Sequence, residues 1–147
     1  MCMKKVLCFF AVVLPFLASA QKPSINHIAL FVQDIQKSTH FYQHVVGLDT
    51  IPEPFHDGKH VWFSIGNNTA LHLIGGAQAT KALDQNNHLA FSVPSLEPLI
   101  IRLSKENIPY ENAQRQSNAV TTRPDGIKQI YFKDPDGHWI EINDARR

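Results

Sequence analysis

Asn87-His88-Leu89-Ala90-Phe91-Ser92-Val93 nearly repeats Asn26-His27-Ile28-Ala29-Leu30-Phe31-Val32, with Asn, His, Ala and Val at the same places. Each stretch is apolar, rich in β-branched and aromatic residues and followed by a helix-start signal, which predicts a strand. Side chains alternate across a strand. One face of the first copy is therefore His27, Ala29 and Phe31, and one face of the second is His88, Ala90 and Ser92. The opposite faces, Ile28/Leu30/Val32 and Leu89/Phe91/Val93, are uniformly apolar and are expected to lie under helices. Each histidine heads a face that suits a cavity better than a core. The chain reads as one module written twice, with a polar cavity between the copies.

The repeat continues outward from these strands. Asp34 is placed to cap a helix running to about Val46, with Ile35, Phe41, Tyr42, Val45 and Val46 on its apolar side and Gly47 as its stop signal. Leu48 to Phe55 reads as a strand pushed to an edge by Pro52 and Pro54. His60 to Ile65 and Thr69 to Ile74 follow around the Gly66-Asn67-Asn68 turn. In the second copy Ser95 is the expected cap of a helix presenting Leu96, Leu99, Ile100 and Leu103, with Pro98 tolerated in its first turn. A hairpin is expected at Pro124-Asp125-Gly126. Ile130 to Lys133 and His138 to Asn143 are strands joined by the Asp134-Pro135-Asp136-Gly137 turn. Val61-Trp62-Phe63 matches Ile130-Tyr131-Phe132, and nine residues after Phe63 and Phe132 come His72 and Glu141. The expected class is α+β, with the two copies paired into one cupped mixed sheet.

Length and composition bound the rest. The 147 residues suit one domain large enough for a real core. Lys4-Lys5, the apolar run Val6 to Leu17 and Ala18-Ser19-Ala20 have the three regions of a secretory signal peptide, with cleavage expected after about Ala20. The expected organisation is a leader over 1–20 and a single domain over 21–147, with module 1 at about 24–76 and module 2 at about 86–144. The apolar run is too short to span a bilayer. Removing the leader takes both cysteines, Cys2 and Cys8, so no disulfide or thiolate chemistry is expected in the mature protein. It also removes two of the 14 Lys and Arg residues, leaving one base fewer than the 13 acidic residues. That near-neutral balance argues against nucleic acid or an anionic membrane as partner. The expected location is secreted or periplasmic.

Four groups able to bind a metal occupy equivalent places: His27 and His88 on the first strand of each copy, His72 and Glu141 on the last. Taken singly, a histidine on a strand is more often a satisfied core or rim residue, and Glu141 alone reads as a solvated strand face. Four such groups at repeat-related positions point instead to a metal centre, since imidazole and carboxylate suit a borderline divalent ion.

These residues carry a resemblance. The paired Asn-His strands, Phe41-Tyr42 leading to Val46-Gly47-Leu48, and the closing run Phe132-Lys133-Asp134-Pro135-Asp136-Gly137-His138-Trp139-Ile140-Glu141-Ile142 resemble the vicinal oxygen chelate superfamily over nearly all of 24–144. The similarity is to its glyoxalase I-like branch. It implies paired βαβββ modules and a divalent ion held by His27, His72, His88 and Glu141, with zinc or nickel first and cobalt, manganese or iron as alternatives. It also implies a lyase or isomerase acting on a small substrate with vicinal oxygens through a metal-stabilised enediolate, Glu141 moving the proton. A homodimer with sites shared across chains is implied too, although the residues leave open whether the site is built within one chain. Glyoxalase I proper usually has a carboxylate where this chain has His72. Three neutral ligands and one anion leave the ion a net charge of about +1, which makes it a stronger electrophile. An extracytoplasmic location weakens a glutathione-derived substrate.

Three other readings compete. Ring-cleaving dioxygenases of the superfamily use two His and one Glu on iron, which His27, His88 and Glu141 could supply. Fosfomycin-modifying enzymes share local wording around His88 and the Asp-Pro-Asp-Gly turn, but have a longer C-terminal segment. A non-catalytic small-molecule binder of the bleomycin-resistance type is the other class, and four intact ligands speak against it. Arg123, Trp62 and His60 are candidates for touching substrate, Arg123 because guanidinium suits an anionic group. His40 and His44 have i, i+4 spacing without a carboxylate and read as a solvated helix face. His138 falls on the strand face opposite Glu141 and is not expected to be a ligand.

Overall fold

The computed structural model describes residues 22–79 and 82–146. The expected leader and its cleavage site lie outside the described residues. The first module runs β1 (His27–Val32), α1 (Ile35–His40), a π-helical segment (Phe41–Val46), β2 (Thr50–Ile51), β3 (His60–Ser64) and β4 (Ala70–Gly75). The second runs β5 (His88–Ser92), α2 (Glu97–Lys105), β6 (Tyr110–Glu111), β7 (Thr121–Thr122), β8 (Lys128–Lys133) and β9 (Trp139–Asn143). This is the βαβββ plan twice over, with one short extra strand, β7, in the second copy, an α+β fold.

Each module makes its own sheet, in the orders β1-β4-β3-β2 and β5-β9-β8-β6, with β7 paired to β8. Among the described residues the two sheets are not hydrogen-bonded into one. In both, the first strand lies parallel to the last (β1 with β4, β5 with β9), and the helix makes the crossover that a parallel pair requires. The apolar faces foreseen for β1 and β5 turn inward, and residues of both modules form one core around Tyr42, Phe63, Leu71, Leu99, Leu103, Phe132 and Ile140. His27, Ala29 and Phe31 on β1, and His88, Ala90 and Ser92 on β5, face outward and are exposed.

Local signals explain most boundaries. Asp34 caps α1, its Oδ1 accepting from the backbone N–H groups of Gln36 and Lys37. Replacing it with alanine is expected to cost about 1 kcal/mol in urea-unfolding free energy, and an unchanged midpoint would contradict the cap. The helix then widens into π geometry, which carries the buried Phe41, Tyr42, Val45 and Val46, and ends at Gly47 with φ +93°. Two expectations are corrected. The edge strand shrinks to Thr50–Ile51 because Pro52 and Pro54 cannot donate to a ladder. Ser95 is not the cap of α2; Leu96 holds that place without a side-chain bond, and the Ser95 hydroxyl is drawn instead to the Glu97 carboxyl.

The Asp134-Pro135-Asp136-Gly137 turn does more than reverse the chain. Asp134 Oδ2 accepts from the Tyr42 hydroxyl at 2.8 Å and from His138 Nδ1 at 2.9 Å, while Oδ1 accepts from the backbone N–H groups of Asp136 and His138. Asp136 accepts from Gln33 N and from the Ser38 hydroxyl. The β8–β9 turn of module 2 is thereby bolted to module 1 at Gln33 just after β1, at Ser38 of α1 and at Tyr42 of the π-helical segment. On the other side Arg102 Nε donates to the carbonyl of Val45.

The bond to Asp134 raises the His138 imidazole above its ordinary value, against the opposing effect of burial. Because the folded-state value is the higher one, this contact stabilises fully below about pH 6.5 and is lost as pH rises through the folded value. The unfolding free-energy difference between the wild type and His138→Gln should therefore narrow as the pH rises above about 6.5. A difference that does not change with pH would contradict this.

Candidate metal centre

The repeat places its polar groups by strand register. In module 1 His72 on β4 lies opposite Ala29 of β1 and opposite Trp62 of β3. In module 2 Glu141 on β9 lies opposite Ala90 of β5 and opposite Tyr131 of β8. Each first-strand histidine is then the diagonal neighbour of the last-strand group on the same sheet face. The His27 and His72 rings are 5.9 Å apart, and His88 Nε2 stands 3.4 Å from Glu141 Oε2.

The chain thus brings the four predicted ligands together in two pairs. Among the described residues no three His, Cys, Asp or Glu side chains are arranged so as to hold a metal ion. The single focus expected from pseudosymmetry is not formed within one chain, since repeat symmetry fixes equivalent positions in each sheet and not the distance between the two sheets.

The chemistry of each pair suits a cation. His88 Nδ1 is 2.7 Å from the carbonyl of Gln85, an oxygen that can only accept, so the imidazole proton sits on Nδ1. The other ring nitrogen, Nε2, faces the Glu141 carboxyl. Two electron-rich atoms at that spacing are satisfied by a proton or a metal ion between them. His27 Nδ1 similarly lies 2.8 Å from Asn26 Oδ1. His72 is buried and its Nε2 has no hydrogen-bond partner, an expensive state for a polar atom. Burial first, then the neighbouring His60 and His27, hold its imidazole below the ordinary value, so it is neutral and ligand-competent at pH 7.

The surroundings of the two pairs differ. His72 sits in an aromatic wall, with ring centroids of Trp62 at 4.8 Å, His60 at 5.1 Å and Phe55 at 6.0 Å. Asp57 bonds His60 Nδ1, and Trp62 also packs on His27. Trp62 and His60 therefore border the first pair. Arg123 is engaged by Asp125 two residues on, at 2.7 Å, a surface pairing. Glu141 is buried, and both of its oxygens are bonded: Oε2 accepts from the Tyr131 hydroxyl at 2.6 Å and Oε1 from Asn143 Nδ2 at 2.7 Å. Sequence reasoning missed Tyr131 and Asn143 as parts of this centre, although the match of Tyr131 to Trp62 was the available signal. The His40 and His44 rings lie 4.7 Å apart, with no third ligand among the described residues. His138 is bound to Asp134 and takes no part in either pair.

Comparison with known proteins agrees with this plan. The family described as Glyoxalase/Bleomycin resistance protein/Dioxygenase superfamily matches residues 24–142. "Glyoxylase I 4" of Arabidopsis thaliana is 26% identical over 81% of this chain and 69% of its own length. "Metallothiol transferase FosB" of Staphylococcus epidermidis is 30% identical over 82% of this chain and 80% of its own length. The crystal structure of a glyoxalase/dioxygenase from Nostoc punctiforme, 28% identical, superposes with a TM-score of 0.70 over 92% of this chain and 100% of that one. The superfamily holds glyoxalases, fosfomycin-resistance proteins and dioxygenases, and a divalent metal and a small-molecule substrate are common among its members. By its two βαβββ modules, its repeat-related His/Glu positions and this match, the chain belongs to the Glyoxalase/Bleomycin resistance protein/Dioxygenase superfamily.

Proposed function

We propose that this chain is a divalent-metal-dependent lyase or isomerase of the glyoxalase type, working outside the cytoplasm after loss of its leader. The observation that carries the reading is His88 Nε2, its other nitrogen tied to the Gln85 carbonyl, aimed at Glu141 in one half, with the unpartnered buried Nε2 of His72 in the other. His27, His72, His88 and Glu141 would hold the ion, zinc or nickel by ligand type, with cobalt, manganese or iron as alternatives. A bound divalent ion supplies Lewis acidity to two neighbouring substrate oxygens. Glu141 takes the proton from the carbon beside the carbonyl and returns it to the adjacent carbon, a redox-neutral exchange that needs no further reactant. Trp62, Phe55 and His60 wall off the His72 side from water.

The separation of the ligands into two pairs leads to the assembly proposed with it. A second copy of the chain would set its His88/Glu141 pair against the His27/His72 pair of the first, so that a homodimer holds two sites. The 30% identity to a metallothiol transferase favours a second reading, in which the same ion serves the transfer of a thiol to a small substrate.

Metal analysis of the purified protein tests the proposal. We expect about one divalent ion per chain, one site for each chain of a symmetric pair, and a large loss in Glu141→Gln. Negligible metal in both proteins would remove the enzymatic reading.

A further inference from the structure

Trp62 and Tyr131 hold equivalent places in the two modules, each directly across from the last-strand ligand candidate. Their chemistry is opposite. The indole Nε1 of Trp62 is buried without a partner, as is His72 Nε2 beside it. The Tyr131 hydroxyl instead donates to Glu141 Oε2 at 2.6 Å and accepts from Gln129 Nε2 at 2.7 Å. Two residues earlier on each strand the contrast recurs, for His60 packs at a tilt against His72 where Gln129 braces Tyr131. Asn143 secures the remaining oxygen of Glu141. A buried relay, Gln129 to Tyr131 to Glu141, has been built into one repeat alone.

We propose that Tyr131, braced by Gln129, is a positioning residue that orients the Glu141 carboxyl toward His88 and so sets the coordination geometry of an ion held there. The inference rests on the metal reading above. Without the phenol, Asn143 grips only Oε1, and Oε2 is free to swing about the terminal torsion, which is broad and soft for a carboxyl group. The bond also draws charge from Oε2, so it tunes the donor strength of the carboxyl as well as its aim. The phenol has a proton to give and the carboxyl oxygen accepts it, so the bond runs from Tyr131 to Glu141. Its ring packs edge-on to His88 at 5.4 Å, a contact that phenylalanine preserves.

Cobalt(II) titration followed by visible absorption is the test, because the d–d bands report coordination geometry independently of any substrate. Tyr131→Phe should weaken cobalt binding about 10–100-fold and shift the bands, and Gln129→Leu should act in the same direction to a smaller degree. In a Glu141→Gln background, where the imidazoles alone carry the remaining affinity, Tyr131→Phe should change nothing further. The inference is overturned if Tyr131→Phe matches the wild type in affinity and spectrum, or if its effect persists undiminished in the Glu141→Gln background. A Tyr131→Phe chain that fails to fold leaves Gln129→Leu to decide in the same assay. A wild type that binds no cobalt would overturn the metal reading and this inference together, whereas a wild type that binds beside an indifferent Tyr131→Phe overturns this inference alone.

Discussion

Asp134→Ala is expected to lower the unfolding free energy by about 3–5 kcal/mol, the range for removing one member of a buried polar network. Asp134 is buried, and its two oxygens accept four hydrogen bonds, from the Tyr42 hydroxyl, His138 Nδ1 and the backbone N–H groups of Asp136 and His138. Alanine leaves all four donors behind with nothing to accept from them. The loss is larger than that of a turn residue because Tyr42 belongs to the other module. Cutting this bolt weakens the joint between modules as well as the β8–β9 turn. For a domain of this size the change corresponds to a fall in Tm of roughly 10–20 °C. Tyr42→Phe removes one donor and keeps the ring, so it should cost only about 1–2 kcal/mol. The two changes should be non-additive, because the phenol has no acceptor once Asp134 is gone. Urea unfolding of the two single variants and the double variant measures all three quantities. A loss below about 1 kcal/mol for Asp134→Ala would show that the network is dispensable.

That joint was illegible in the sequence for a physical reason. Asp134-Pro135-Asp136-Gly137 announces a turn through its local backbone preferences, and Gly137 does adopt a positive φ of 88°. Tyr42, Ser38 and Gln33, which the aspartates grip, lie about a hundred positions away, and no local spacing encodes such a partnership. The strands were legible because alternation is a local signal: His27, Ala29 and Phe31 do share the outward face, and Val32 is buried on the other. The cap at Asp34 and the stop at Gly47 were legible because each depends on backbone groups within one helical turn.

The site divides along the same line. Pairing within a module follows from strand register, so His72 beside His27 and Glu141 beside His88 were readable from two matched strands. The distance between the pairs depends on how the modules meet, which the repeat does not encode. Tyr131 was half legible. Its match to Trp62 was visible, but its hydrogen bond to Glu141 depends on cross-strand register, which appears only once β8 and β9 are paired. Ser95 misled because it satisfies the composition of a cap while the helix begins at Glu97, one residue too far on for Ser95 to hold the capping place.

Mixing two defective chains should restore metal binding that neither has alone. His27→Ala/His72→Ala destroys the module 1 pair, and Glu141→Gln with His88→Ala destroys the module 2 pair. A homodimer of either variant would then carry two broken sites, with turnover expected to fall by about 10²–10⁴-fold where the carboxyl proposed to move the proton is gone. In a mixed dimer one site joins both damaged pairs, and the other joins the intact His27/His72 of one chain to the intact His88/Glu141 of its partner. Random re-association makes half of the dimers mixed, so about a quarter of the wild-type metal content should return. Intrachain sites would give none at any mixing ratio, because every chain then carries its own lesion. Metal content of co-refolded or co-expressed chains, separated by a tag on each, reads the result directly and needs no substrate. A mixed dimer that forms and stays metal-free would contradict the shared site, even if each wild-type chain binds an ion. The partial return is diagnostic because it depends on geometry alone: two pairs, one from each chain, meeting at a common centre.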